Sequence, residues 1–179
     1  AQYANKNWPK NMKIHAAMTS RMDRDIGTIS RRLEELGIAE NTLIIFNSDN
    51  GAHGKLNSEK FFNTSGELRG IKRFMYDGGV RSPMIAYWPG TIKSGSVSNH
   101  ISAFWDMLPT FSDLAGEALK GETDGISMLP TLLGKDSEQK KHKYLYWELY
   151  ESNKPNCAVR FGKWKGVVAD RRKGLNVEL

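Results

Sequence analysis

Cysteine is nearly absent from this chain, and its single occurrence, Cys157, excludes an internal disulfide and any zinc site built on several thiolates. Histidine is sparse too, at four residues. Long hydrophobic runs are missing: nothing approaches the roughly 18 consecutive apolar residues that a membrane-spanning helix requires, so no membrane role is expected. No internal repeat is evident, and Ala1-Gln2-Tyr3 carries no basic-then-apolar leader, so the start reads like the middle of a longer protein. What is present is a globular composition, with 39% hydrophobic residues, five Trp, seven Phe and six Tyr in 179 residues. That suffices for one buried domain or for part of a larger one. The net charge of +6, from 26 basic against 20 acidic residues, would draw a polyanion, whether nucleic acid, a sulfated glycan or an anionic surface. The basic runs Lys140-Lys141-His142-Lys143 and Arg171-Arg172-Lys173 lack interleaved aromatics and match no module that reads nucleic acid. They read as solvated surface, and no nucleic-acid partner is expected.

Hydrophobic spacing places the elements. Met18, Met22, Ile26, Ile29, Leu33 and Leu36 recur at steps of three and four, which predicts a helix over 16–36 with Gly37 closing it in a left-handed conformation. Thr42 to Asn47 is a β-branched and aromatic run without alternation, as in a strand covered on both faces. It runs into Ser48-Asp49-Asn50-Gly51, so polar side chains gather at a strand's carboxyl end, where open α/β sheets hold their ligands. Residues 52–73 read as a long, irregular loop, of the kind that is often functional, and Asp77-Gly78-Gly79 as a turn. Met84 to Trp88 predicts a second strand. Asp106 is placed to cap a helix whose buried face would be Leu108, Phe111, Leu114 and Ala115, with Gly116 as its stop, and a short helical piece is expected over 127–133. After Gly134 the runs Tyr144–Tyr150, Ala158–Phe161 and Trp164–Ala169 predict antiparallel strands around a Gly162-Lys163 turn, with another strand starting at Val177.

Three spots offer chemistry. Asp49 and Asn50 place two hard oxygen donors side by side, the type calcium or magnesium takes and zinc does not favour. Calcium needs about six to eight oxygens, so two residues are only part of a site, and Asp-Asn-Gly is also a common turn. Lys72, flanked by Arg69, Arg73 and Arg81, stands on a loop of permissive backbone of the kind that binds a tetrahedral oxyanion, although such a cluster also suits a solvated loop. His53 could face a ligand as an acid or a hydrogen-bond donor.

Taken in order, the segments MTSRMDRDIG (18–27), NTLIIFNSDNG (41–51), LRGIKRFMYDGGVRSPMIAYWPG (68–90), DMLPTFSDLAG (106–116) and DGISMLPTLLG (124–134) together resemble the C-terminal part of the arylsulfatase family. Trp147 and RFGKWK (160–165) resemble that family's closing subdomain. The resemblance implies an α/β fold, the C-terminal part of an alkaline-phosphatase-like sandwich in which a mixed sheet is flanked by helices. Residues 1–133 would belong to the catalytic domain and 134–179 to a small antiparallel β subdomain. It implies sulfuric ester hydrolysis, with Asp49 and Asn50 as calcium ligands, Lys72 contacting the sulfate and His53 near the substrate. A sulfate ester, such as a sulfated glycan, would be the substrate, and the location periplasmic or extracellular.

The family's nucleophile is a formylglycine made within Cys/Ser-x-Pro-x-Arg. Cys157 is followed by Ala158, Val159 and Arg160, so it is not that residue. The early Asp-Asp pair is absent as well. The chain is therefore expected to be inactive alone, and to self-associate or to need the N-terminal part. Asp77-Gly78-Gly79 replaces the family's usual Glu-Gly-Gly, and Ser82 stands where Val or Glu is more common; both changes are expected to be tolerated. The alternatives are a phosphatase or phosphodiesterase of the same superfamily, whose sites are usually richer in zinc-binding His, and a non-catalytic module that holds polyanions.

Overall fold

Proline 9 opens the first helix, where its missing N–H costs nothing because the first helical turn has no intrahelical acceptors. The carbonyl of Pro9 accepts from Met12 N and Lys13 N at 3.0 and 3.1 Å. The computed structural model describes residues 2–54, 58–151 and 153–179. They divide into two compact units: residues up to Leu43 together with Asn47–Met84, and Ile44–Phe46 together with Ile85–Leu179. No helix among the described residues is long and apolar enough to cross a membrane.

In the first unit, α1 spans Lys10–Glu35, six residues longer at its start than periodicity predicts. Gly37 ends it at φ +68°, with Gly37 N donating to Glu34 O and Ile38 N to Leu33 O. The apolar stripe is exposed rather than packed: Met18 is 67% accessible, Ile29 58% and Met22 48%, and only Met12 of this helix is buried. What anchors α1 is an aromatic cluster that periodicity does not reveal. Trp8 stacks on Tyr3 and meets Phe61 and Phe62 edge-on at 5.6 and 5.5 Å, while His15 stacks on Phe62. This cluster holds α2, Ser58–Phe62, against the start of α1. The predicted irregular loop thus contains a helical turn; its residues 55–57 lie outside the described residues. Asp77-Gly78-Gly79, expected as a turn, forms most of a short helix, α3, Asp77–Val80.

The strand β1, Ile44–Asn47, pairs with β2, Met84–Tyr87, and the second unit takes Ile44–Phe46 of the one and Ile85–Tyr87 of the other. Every residue of β1 is partly covered, consistent with its unalternating sequence, whereas β2 alternates between half-buried and exposed positions. The helix α4 covers Met107–Ala115 and stops at Gly116 with φ +69°. Its buried residues are Pro109 and Thr110, while Leu108 and Phe111 are 59% and 49% exposed, so the predicted buried face is corrected. The reason is polar. Thr110 Oγ1 donates to Asp106 O at 2.6 Å and accepts from Met128 N at 2.9 Å, which turns that side of the helix inward. A short α5, Leu129–Leu132, follows, and Gln139 clamps it by accepting from Thr131 N and Thr131 Oγ1. The strands β3 (Leu145–Glu151), β4 (Lys154–Phe161) and β5 (Trp164–Val168) form an antiparallel sheet in that order. Leu145, Ala158, Val167 and Val168 supply its buried core. Val167 also bridges to Glu178 through two backbone hydrogen bonds, at the place where a further strand is predicted.

Candidate active site

The loop after β1 is shaped by side chains that satisfy the backbone. Asn47 Oδ1 accepts from Ser48 N at 2.8 Å, and Ser48 Oγ donates to Asn50 O at 2.9 Å. Such local bonds favour turns over continued strand. Ser82 braces the same bend, its hydroxyl 2.7 Å from Ser48 O and 3.1 Å from Asn47 Oδ1. Asp49 is exposed and Asn50 half-buried, and Asn50 Nδ2 donates to Gly51 O at 3.3 Å.

Beyond Asn50 the backbone meets α3 at a distance that excludes a side chain. A Cβ on Gly51 would lie 1.8 Å from Gly78 O, and one on Gly78 would lie 2.0 Å from Gly70 O. Both positions therefore demand glycine on steric grounds. The contact is hydrogen-bonded throughout: Gly51 N donates to Gly79 O at 2.9 Å, Gly78 N to Arg69 O at 2.7 Å, and Lys72 N to Ala52 O at 2.8 Å. Three segments, 49–52, 69–72 and 77–80, are knitted into one unit of backbone.

This knitting brings Lys72 beside the Asp49-Asn50 loop, since its amide is bonded to a carbonyl two residues past Asn50. Lys72 is half-buried in a turn, and the following Arg73 takes φ +79°, a left-handed conformation uncommon for a residue with a side chain and of a kind that clusters at functional sites. Arg69 lies over the Tyr76 ring, 3.9 Å from its centroid, and donates to Tyr76 Oη at 3.0 Å, so its charge is turned aside into a cation–π contact. Neither Asp49 nor Lys72 has a side-chain hydrogen bond or ion pair among the described residues. His53 is exposed on the same loop and has an interaction partner of its own within the chain.

The donor set suits a hard cation. Asp49 and Asn50 offer a carboxylate and an amide oxygen, which fit calcium in type, and no group of three or more His, Cys, Asp or Glu side chains that could hold a metal occurs among the described residues. These two residues therefore fit as part of a coordination sphere. Sequence reasoning singled out Asp49, Asn50, His53 and Lys72 as candidates but gave Ser82 no part beside them; a hydroxyl at a position where other residues are commoner was the available signal.

Two family models match the chain: Sulfatase over residues 2–117, and N-sulphoglucosamine sulphohydrolase, C-terminal, over residues 69–176. Human arylsulfatase A is 37% identical over 145 residues, covering 80% of this chain and 28% of the relative. The N-acetylgalactosamine-6-sulfatase of Rattus norvegicus is 37% identical over 114 residues, covering 63% of this chain and 22% of the relative. Among solved structures, Ps i-CgsB in complex with k-i-k-neocarrahexaose superimposes with a TM-score of 0.76 at 29% identity, over 91% of this chain and 35% of that one. BT4656 in complex with its substrate D-glucosamine-2-N, 6-O-disulfate gives 0.66 at 29% identity, over 84% of this chain and 32% of that one. The chain thus spans roughly a third or less of the length of these relatives. The Sulfatase model covers more than half of the chain, in a range that includes the Asp49-Asn50 loop, Lys72 and α4, so this chain belongs to the sulfatase family.

Proposed function

We propose that the protein containing this chain hydrolyses sulfate esters, and that sulfated glycans are its substrates. The observation that carries this reading is the bond from Lys72 N to Ala52 O at 2.8 Å, which fixes a lysine beside an adjacent carboxylate and amide. Asp49 and Asn50 would supply two oxygens to a calcium ion. When bound, the ion would neutralise charge on the sulfate oxygens, and a formylglycine from outside this chain would supply the nucleophile. The chain's own part is positioning. Lys72 places its ammonium on the sulfate, where charge builds up as sulfur is attacked, and the glycine-knit backbone holds it there before reaction, so little reorganisation is needed. His53, exposed on the same loop, would face the substrate.

The glycan reading draws on a relative named N-acetylgalactosamine-6-sulfatase and a family model named N-sulphoglucosamine sulphohydrolase, and on solved neighbours in complex with a neocarrahexaose and a glucosamine disulfate. Lys72→Ala in the whole protein is expected to lower kcat on an aryl sulfate by about a hundredfold or more. Near-normal turnover would remove Lys72 from the site, and a preference for the matching aryl phosphate would favour the phosphatase reading instead.

The exposed stripe of Met18, Met22 and Ile29 on α1 supports association of this chain with further polypeptide or with a second copy. Purified alone, the 179-residue chain is expected to bind the dye ANS and to elute above its 20.2 kDa mass. A monomer that binds no dye contradicts this.

A further inference from the structure

Within the second unit a cavity of about 210 Å³ opens between the loop at 99–101, the segment before β3 and the end of β4. A single water needs only about 10–15 Å³ of such space, so a ligand of several heavy atoms fits. Its lining includes His100, Lys141, His142, Lys143 and Arg160, and neither Asp nor Glu. The carboxylate that meets His142 is enclosed: Asp106 is fully buried, and its carboxylate accepts from Ala103 N at 2.7 Å, Ile126 N at 2.8 Å and His142 Nε2 at 2.8 Å. Three donors thus satisfy that negative charge behind the cavity wall, and His142 stands between it and the opening, with a side chain only 10% exposed.

One lining group is left without a partner. The Nε2 atom of His100 is buried and makes no hydrogen bond among the described residues, a state that buried polar nitrogens rarely keep unless a ligand or water satisfies them. Exposed lysines alone describe a solvated face. Here they ring a cavity whose wall includes His100, with an imidazole nitrogen that no group among the described residues satisfies, and that combination has the requirements of anion recognition: positive field, a hydrogen-bond donor and exclusion of competing carboxylates.

We propose that this cavity binds an oxyanion of the sulfate class, with His100 Nε2–H as donor and Lys143 and Arg160 supplying charge. The anion is either free or carried on a sugar. This assignment does not depend on whether the Asp49–Lys72 loop takes part in ester hydrolysis. Burial holds His100 below the ordinary value of 6.5, an effect reinforced by His142 and Lys141 and opposed by Asp106 and Asp136. A bound oxyanion would draw that value back up, because it favours the charged imidazole.

The test is an NMR titration of the whole protein with sodium sulfate against sodium chloride at matched ionic strength, and in parallel with glucosamine 6-sulfate. The His100 signal is assigned by its loss in His100→Gln. A saturable shift of that signal with inorganic sulfate, together with a rise in its pKa, establishes a site for the free anion. The same response with the sulfated sugar alone establishes a site for the sugar-borne group. Arg160→Gln and Lys143→Ala should each weaken the binding about tenfold. Chloride producing the same response, no response to either sulfate, or full affinity retained in both variants would overturn the proposal.

Discussion

Glycine 78 shows how much of the site depends on what is missing from a side chain. Its Cα lies where any Cβ would fall 2.0 Å from Gly70 O and 2.8 Å from Arg69 O, and these are backbone atoms that do not swing aside. Gly78→Ala must therefore push α3 off the 69–72 segment, and with it the brace on Lys72. We expect a loss of about 1–3 kcal/mol in urea unfolding, accompanied by lost calcium affinity in the whole protein. A variant with wild-type stability and affinity would show that the close approach is dispensable. At this scale the candidates Asp49, Asn50 and Lys72 could be proposed from sequence, because they carry their character in their side chains. The use of Ser82 was not legible. Its two contacts reach back to Asn47 and Ser48, 35 and 34 residues away, and no local pattern encodes a bond across that separation.

At the scale of elements, sequence and structure agree where local physics dominates and part where tertiary contacts decide. The left-handed closures at Gly37 and Gly116 and the antiparallel β3–β4–β5 sheet were all readable, since each follows from a turn residue or a β-rich run. The inward face of α4 was not. Four apolar residues predicted one face, but a buried polar set, Asp106, Thr110 and the amides of Ile126 and Met128, selects another. Asp106 stands at the start of α4 as expected, but its side chain makes no cap bond to that helix. Its carboxylate ties the approach to α4, the 126 loop and His142 together. Asp106→Ala would leave three buried donors unpaired, each costing about 1–3 kcal/mol. A fall in stability of about 3 kcal/mol or more in chemical denaturation is expected, whereas a change below about 1 kcal/mol would mean that the network is replaced at little cost by water.

For the whole molecule, the central claim is that one stretch of knitted backbone presents Asp49, Asn50 and Lys72 to the same ligand. The Sulfatase family model spans all three residues, and the solved relatives superimpose over 91% and 84% of the chain. The sequence could not supply the rest of the proposed calcium site, because two oxygens meet only part of calcium's demand. Calorimetric titration of calcium into the whole protein and into its Asp49→Ala variant tests the claim most directly. The account predicts a single site whose affinity falls more than about a hundredfold in the variant; equal affinity in the two proteins would contradict it.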